Sequence, residues 1–165
     1  MSAISLESDA DLPAIDTLMA EAFGPARYGR SVWQLRPGPP VPDMCLVICD
    51  GDEPLGSLRY WEVRLGDEAI LLLGPLAVRP GLRGKGYGRQ LIQDSLRRAG
   101  AGPWRLILVS GEVDYYPKFG FVPAAPYGID WPGSIEPERL QFFELVKGAL
   151  ASLPSGPLPV RALSP

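Results

Sequence analysis

Apolar positions near the start of the chain follow a helix and then change to strand periodicity. Leu12, Ile15, Leu18, Ala22 and Phe23 recur at the three- and four-residue steps of one helix face. Ser8 or Asp11 can cap that helix, and Gly24-Pro25 ends it. Residues 3–6 read as a short strand before it. A weaker helical pattern covers 28–35, ahead of a proline loop at 36–42. Three strand-like runs follow at 44–49, 55–63 and 69–78. The turn residues Asp50-Gly51-Asp52-Glu53 and Leu65-Gly66-Asp67 separate them, which predicts two close hairpins of an antiparallel meander.

The period then returns to helical. Over 86–99, Tyr87, Leu91, Ile92, Leu96 and Ala99 form one stripe, with Arg89, Gln90, Gln93, Asp94, Arg97 and Arg98 outside it. Gly100 and Gly102-Pro103 stop this helix. The near-continuous apolar run 104–109 marks a central strand covered on both faces. A strand, a helix and a second strand imply a parallel pair with a right-handed crossover. Residues 115–119 predict one helical turn, and 121–122 and 140–146 predict the final strands. The expectation is a mixed α/β sheet, antiparallel at first and parallel later, in a single domain over 1–153 with a proline-rich tail at 154–165.

Composition narrows the class. Glycine and proline make up 38 of 165 residues, below the low-complexity level, and the prolines gather at 37–42, 123–137 and 154–165 as loops and a tail. No run of about 18 apolar residues predicts a membrane span, and the first residues lack a basic stretch followed by an apolar one. A cytoplasmic protein is the default. Cys45 and Cys49, with no histidine anywhere, make a poor metal site and read as buried free thiols; no metal is expected. The net charge of −3 hides an asymmetry. Residues 79–98 carry six basic side chains against one acid, and the rest carries ten against eighteen. A local anion site accounts for this better than nucleic-acid binding, which calls for a broad basic patch.

Four of those six bases surround the glycine turn of the segment 73–88, L-G-P-L-A-V-R-P-G-L-R-G-K-G-Y-G. A strand feeding a glycine turn and a helix N-terminus is suited to a phosphate group. Pro75 inside the apolar run is the anomaly, since proline cannot donate to a ladder and belongs at an edge or a bulge. A P-loop needs a hydroxyl after the lysine, and here Lys85 precedes Gly86; a dinucleotide fingerprint needs glycine where Arg89 stands. Both patterns fail. What fits is R-x-x-G-x-G over 83–88, after a strand and at a helix start. With the strand L-G-P-L-A-V and the later Y-Y-P-K-F-G-F at 115–121, the chain resembles the GNAT superfamily of acetyl-CoA-dependent N-acetyltransferases. The resemblance covers most of the chain. The later F-F-E-L-V-K-G-A-L also resembles the final strand of a bacterial subgroup of predicted, mostly uncharacterised acetyltransferases.

The resemblance implies a GNAT-like mixed sheet with flanking helices, whose parallel pair splays at the cofactor. It implies acetyl-CoA as co-substrate. Pyrophosphate would lie on Arg83, Gly84, Lys85, Gly86, Tyr87, Gly88 and Arg89, and pantetheine beside the main chain of Leu76 and Val78. The amide of Leu76 or Ala77 would hold the thioester oxygen, and Pro75 would mark the bulge. Tyr116, four residues before Gly120, would be the proton donor to the leaving thiolate, with Tyr115 packing or lining the channel. The strand holds no acid to take the amine's proton; Glu112 is the first choice of base, and Glu62 and Glu68 are alternatives. The implied acceptor is a small-molecule or peptide amine entering between the Phe23–Leu35 region and the loop of Tyr127 and Trp131, where Tyr28 and Trp33 add further aromatics and acids are few apart from Asp130. No nucleic acid and no membrane are implied, and the protein would be a monomer or a homodimer. A non-catalytic acyl-CoA sensor with the same fold stays open beside the enzyme.

Overall fold

The computed structural model describes residues 2–24 and 30–163. Tyr28 lies outside the described residues. Strand β1 (Ser2–Leu6) pairs antiparallel with β2 (Leu46–Asp50), which turns at Gly51 into β3 (Glu53–Leu65), and β3 turns at Gly66 into β4 (Glu68–Val78). Both turn glycines adopt the left-handed region, at φ 59° and 60°, where a side chain would be strained. The two predicted hairpins are therefore present.

Helix α1 (Leu12–Phe23) lies between β1 and β2 in sequence. The Ser8 amide donates to the Asp11 carboxylate at 2.9 Å just before it, and Gly24, at φ 67°, ends it. Its buried face is Ile15, Leu18 and Met19 against Val47 and Ala77, while Leu12 is exposed. The pattern at 28–35 becomes a 3-10 turn at Ser31–Leu35 rather than an α-helix. Val32 and Leu35, three apart, are its buried pair, and Pro37 disfavours helical geometry at Arg36.

On the opposite face lies α2 (Tyr87–Gly100), which crosses from β4 to β5 (Leu106–Ser110). Leu91, Ile92 and Ala99 pack over Leu58, Tyr60, Leu71, Leu73 and Ile107. Ser95 lies within this core, with 2.7 Å hydrogen bonds to the Tyr60 hydroxyl and to the Ile92 carbonyl. The sheet continues through β6 (Val122–Pro123), with β7 (Ile129–Asp130) to one side, and β8 (Leu140–Glu144). Its spatial order is β1-β2-β3-β4-β5-β8-β6, and along that order β4–β5 is the parallel pair.

The expected tail at 154–165 is the main correction. Leu158–Ala162 forms strand β9, antiparallel to the end of β3 and parallel to β7. Leu158 and Val160 are buried while Pro159 and Arg161 face out, a period-two pattern that the surrounding prolines obscure. Pro159 is tolerated in this short strand, and its carbonyl accepts from the Gly66 amide at 2.9 Å.

Candidate active site

Strand β4 changes partners halfway along. Its register with β5 is Leu71↔Ile107 and Leu72↔Leu108, and beyond that Leu73–Val78 run on without a ladder to β5. On its other side the register with β3 shifts between Leu58↔Leu76 and Tyr60↔Leu73, so Gly74 and Pro75 together oppose Arg59. That is a bulge, with Pro75 in it and a cis bond between Gly74 and Pro75. The sheet parts where the sequence places its anomalous proline.

Main-chain direction past the bulge follows from one hydrogen bond. The Arg79 amide donates to the Leu55 carbonyl of β3 at 2.8 Å. Main-chain groups alternate sides along an antiparallel strand, so Ala77 also turns its groups to β3 while Leu76 and Val78 turn theirs into the opening. A Cβ built on Gly56 of β3 would lie 3.1 Å from the Ala77 carbonyl oxygen, which agrees. Of the two amides considered for the thioester oxygen, Ala77's is therefore committed to the ladder and Leu76's is turned the right way.

The glycine turn leaves donors unspent. Within it Lys85 donates to Leu82 O at 3.3 Å, and the first helical bond runs from Gln90 to Gly86 at 3.0 Å. Among the described residues, no backbone acceptor is taken by the amides of Arg83, Gly84, Gly86, Tyr87, Gly88 or Arg89. Gly84 and Gly86 hold φ of 82° and 89°, the left-handed geometry that aims successive amides at one point. The local charge also resolves. Arg79 pairs with Glu53 and donates to the Pro54 carbonyl, both at 2.8 Å, while Arg97 and Arg98 pair with Asp94. Arg83, Lys85 and Arg89 are exposed and have no carboxylate partner among the described residues, so they are the surplus charge at the helix dipole's positive end.

Both tyrosines stand against glycines. The 3-10 turn Tyr116–Phe119 follows β5, and Tyr116 packs on Gly111 so closely that a Cβ there would meet its Cδ2 at 2.6 Å. A Cβ on Gly88 of α2 would lie 3.0 Å from the Tyr115 hydroxyl and 3.9 Å from Leu76 Cδ2. Tyr115 thus reaches the start of α2, and Tyr116 fills the end of β5. Burial pushes the Tyr116 phenol well above its ordinary pKa, with smaller additions from Tyr115 and Glu112, so it is protonated at neutral pH.

The acids are less concentrated than the donors. Glu112 is exposed, but its backbone carbonyl accepts from the Tyr116 amide at 3.5 Å and from the buried Gln141 Nε2 at 3.2 Å, which keeps it beside the tyrosine turn. Glu62 accepts from Trp104 Nε1 at 3.3 Å and Glu68 lies 3.8 Å from Arg105, both toward the hairpin end of the sheet and away from the bulge. Cys45 is buried, its thiol pushed up to about 11 by burial, and Cys49 is partly buried; both are free thiols. Among the described residues no group of three His, Cys, Asp or Glu could hold a metal ion, and no helix is long and apolar enough to cross a membrane.

Arg36 is the residue that sequence reasoning missed. It closes the 3-10 turn of Ser31–Leu35, lies 4.6 Å over the Trp33 ring, and brings Nη2 to within 2.7 Å of where a Gly74 Cβ would be. Its Nε is buried with no hydrogen-bond partner. Burial and the Arg30 cation push its pKa down, although a guanidinium still remains charged at neutral pH. The sequence signal was faint: one arginine ending the run V-W-Q-L-R.

The 3-10 turn that Arg36 closes forms part of the wall of a cavity of about 700 Å³, lined in part by Arg30, Gln34, Ser110, Ser134, Glu136 and Arg139. One wall belongs to the expected Phe23–Leu35 region; the other is residues 133–139, which follow the loop of Tyr127 and Trp131 rather than form it. Trp131 Nε1 donates to Ser31 Oγ at 2.8 Å, Ser31 Oγ donates to the Ser134 carbonyl at 2.7 Å, and Gln34 Nε2 donates to the Pro132 carbonyl at 2.6 Å.

The family model described as "Acetyltransferase (GNAT) domain" matches residues 42–123, from the start of β2 through β6. In sequence and in fold the chain is similar to GNAT acetyltransferases. It is 27% identical over 135 residues to the Uncharacterized N-acetyltransferase YhbS of Escherichia coli strain K12, covering 79% of this chain and 81% of that one. The crystal structure of E. coli YhbS in complex with CoA superposes with a TM-score of 0.79 at 27% identity, over 96% of this chain and 88% of that chain. A GNAT family acetyltransferase from Brucella melitensis in complex with acetyl-CoA gives 0.69 at 25% identity, over 96% and 94%. The splayed β4–β5 pair and the glycine turn are thus features of a GNAT sheet.

Proposed function

We propose that this protein transfers the acetyl group of acetyl-CoA to a primary amine of a small-molecule or peptide acceptor by direct attack on the thioester. The observation that carries the reading is the set of unspent main-chain donors, from the free side of Leu76 and Val78 to the amides of Arg83, Gly84 and Gly86–Arg89. Its two ends match the two parts of the ligand: an extended amide-bearing arm beside a strand edge, and a pyrophosphate at a helix N-terminus. The relatives solved with CoA and with acetyl-CoA support it.

When bound, acetyl-CoA supplies an acetyl group activated as a thioester. The protein's own groups do the rest. The Leu76 N–H, turned into the opening, donates to the carbonyl oxygen as negative charge gathers there. The Tyr116 hydroxyl, kept protonated by burial, delivers its proton to the departing sulfur. The attacking amine must first lose a proton, and Glu112 takes it through water, since its carboxylate is exposed beside the tyrosine turn.

The test is incubation with acetyl-CoA and a panel of primary amines while thiol release is followed. Turnover on at least one amine supports the reading. The exposure of Glu112 favours a second reading, in which the domain only senses acyl-CoA; tight acetyl-CoA binding with no turnover on any amine would establish that one instead.

A further inference from the structure

We propose that the acceptor is a carboxylate-bearing amine, an α- or β-amino acid, whose carboxylate is held by Arg36 while its side chain enters the cavity that Arg30 and Arg139 line. The inference rests on the acetyl-transfer reading for the identity of the reacting amine, but the anion site stands on its own geometry.

Three observations converge. Arg36 is a half-buried cation whose buried Nε bonds to nothing, and a buried donor without a partner is unfavourable unless a ligand satisfies it. The Nε edge of a guanidinium presents two parallel donors, and a carboxylate matches that edge with two acceptors. The guanidinium carbon lies 4.6 Å over the Trp33 ring, so the cation rests on an aromatic face rather than against a carboxylate.

The second observation is charge. Arg30, Arg36 and Arg139 have no ion-pair partner among the described residues. Arg30 and Arg139 line the cavity, and Arg36 ends the 3-10 turn whose Ser31, Val32 and Gln34 form part of its wall. Glu136 is the acid among the cavity's lining residues. Such a field attracts an anion and repels a polyamine.

Distance supplies the third. Arg36 reaches Gly74, two residues from the Leu76 amide that receives the thioester oxygen. A carboxylate on Arg36 therefore lies within a few bonds of the reacting nitrogen, which excludes amines whose charge sits at the far end of a long chain. The cavity of about 700 Å³ then has room for a side chain of any natural size.

Ligand-observed saturation-transfer NMR on the whole protein with CoA present tests this without requiring turnover. The probes are glycine, β-alanine, phenylalanine and glutamate, each against its C-terminal amide, with 6-aminohexanoate and phosphoethanolamine added. The expected result is that at least one of the four acids binds about 10- to 100-fold more tightly than its amide, the value of a charge-assisted bond pair. Arg36→Gln should erase the preference and leave acetyl-CoA affinity unchanged by calorimetry; Arg36→Lys should keep part of it. Should Arg36→Gln not fold, Arg139→Gln must weaken the same preference. Equal binding of acids and amides, tighter binding of 6-aminohexanoate or phosphoethanolamine, or an Arg36→Gln protein that keeps its preference overturns the proposal. Selective carboxylate binding with no thiol release would instead remove the transfer reading and leave the anion site.

Discussion

The ring of Tyr116 occupies the space where a side chain on Gly111 would begin: a Cβ built there comes within 2.6 Å of the ring's Cδ2. Gly111 is buried, its amide donates to the Arg139 carbonyl at 3.0 Å, and its φ lies outside the left-handed region. Its requirement is one of space. Gly111→Ala should therefore displace the Tyr116 ring, at an overpacking cost of about 1–3 kcal/mol. The expected outcome is a large fall in kcat for thiol release with acetyl-CoA affinity retained, checked by steady-state kinetics and calorimetry.

Tyr116→Phe keeps the ring and removes the proton. A fall in kcat of about 10²- to 10⁴-fold is expected, with KM for acetyl-CoA little changed. An activity within twofold of wild type would end the proton-donor role.

The buried phenols set a stability limit at high pH. Burial raises the pKa of both Tyr60 and Tyr116 above the ordinary value of 10.0. Below pH 10 both states hold the proton and stability is flat. Above it the unfolded chain ionises first and binds fewer protons than the native one, so stability falls as pH rises toward the folded pKa. Melting temperature should drop steeply above about pH 10, in line with the ordinary phenol value, and less steeply in Tyr60→Phe.

Gly88→Ala separates stability from binding. In the first turn of α2, alanine is the better helix former by about 1 kcal/mol. The new methyl would crowd the Tyr115 hydroxyl at 3.0 Å and narrow the approach to the α2 amides. A melting point equal to or above wild type, with acetyl-CoA affinity reduced about tenfold or more through lost main-chain contact, is expected from thermal unfolding and calorimetry.

Arg83, Lys85 and Arg89 are exposed, so their attraction for a pyrophosphate is screened by salt. Replacing all three with glutamine should weaken acetyl-CoA binding at low ionic strength and flatten its salt dependence. The control is Arg97→Gln on the same helix, whose charge already faces Asp94.

Sequence disclosed most where backbone geometry demands a special residue. Pro75 marks the bulge because a proline cannot sit in an unbroken ladder, and Gly84 and Gly86 mark the turn because only glycine takes their φ without strain. The β2–β3–β4 hairpins were legible for the same reason. Strand β9 was not, since its alternation rests on Leu158 and Val160 alone among prolines. Arg36 was not legible either. Its placement comes from a 3-10 turn and the β4 bulge meeting in space, and no local pattern records that meeting. Removing residues 154–165 should lower the melting temperature by tens of degrees or abolish soluble expression, because each large buried apolar side chain lost costs about 2–5 kcal/mol.

The open edge of β4 grips with peptide groups, and peptide groups are the same whatever side chain they carry. Substitutions along Leu76–Val78 that preserve the strand's path leave its donors and acceptors where they are. A lineage can thus rewrite three residues in four, as the 27% identity to a fold with a TM-score of 0.79 illustrates, and still offer the same handle. On the other side of the bulge the walls are side chains such as Arg36, and there a substitution changes the surface itself. The parted sheet sets a main-chain edge, indifferent to side-chain replacement, against a side-chain wall that is remade by it.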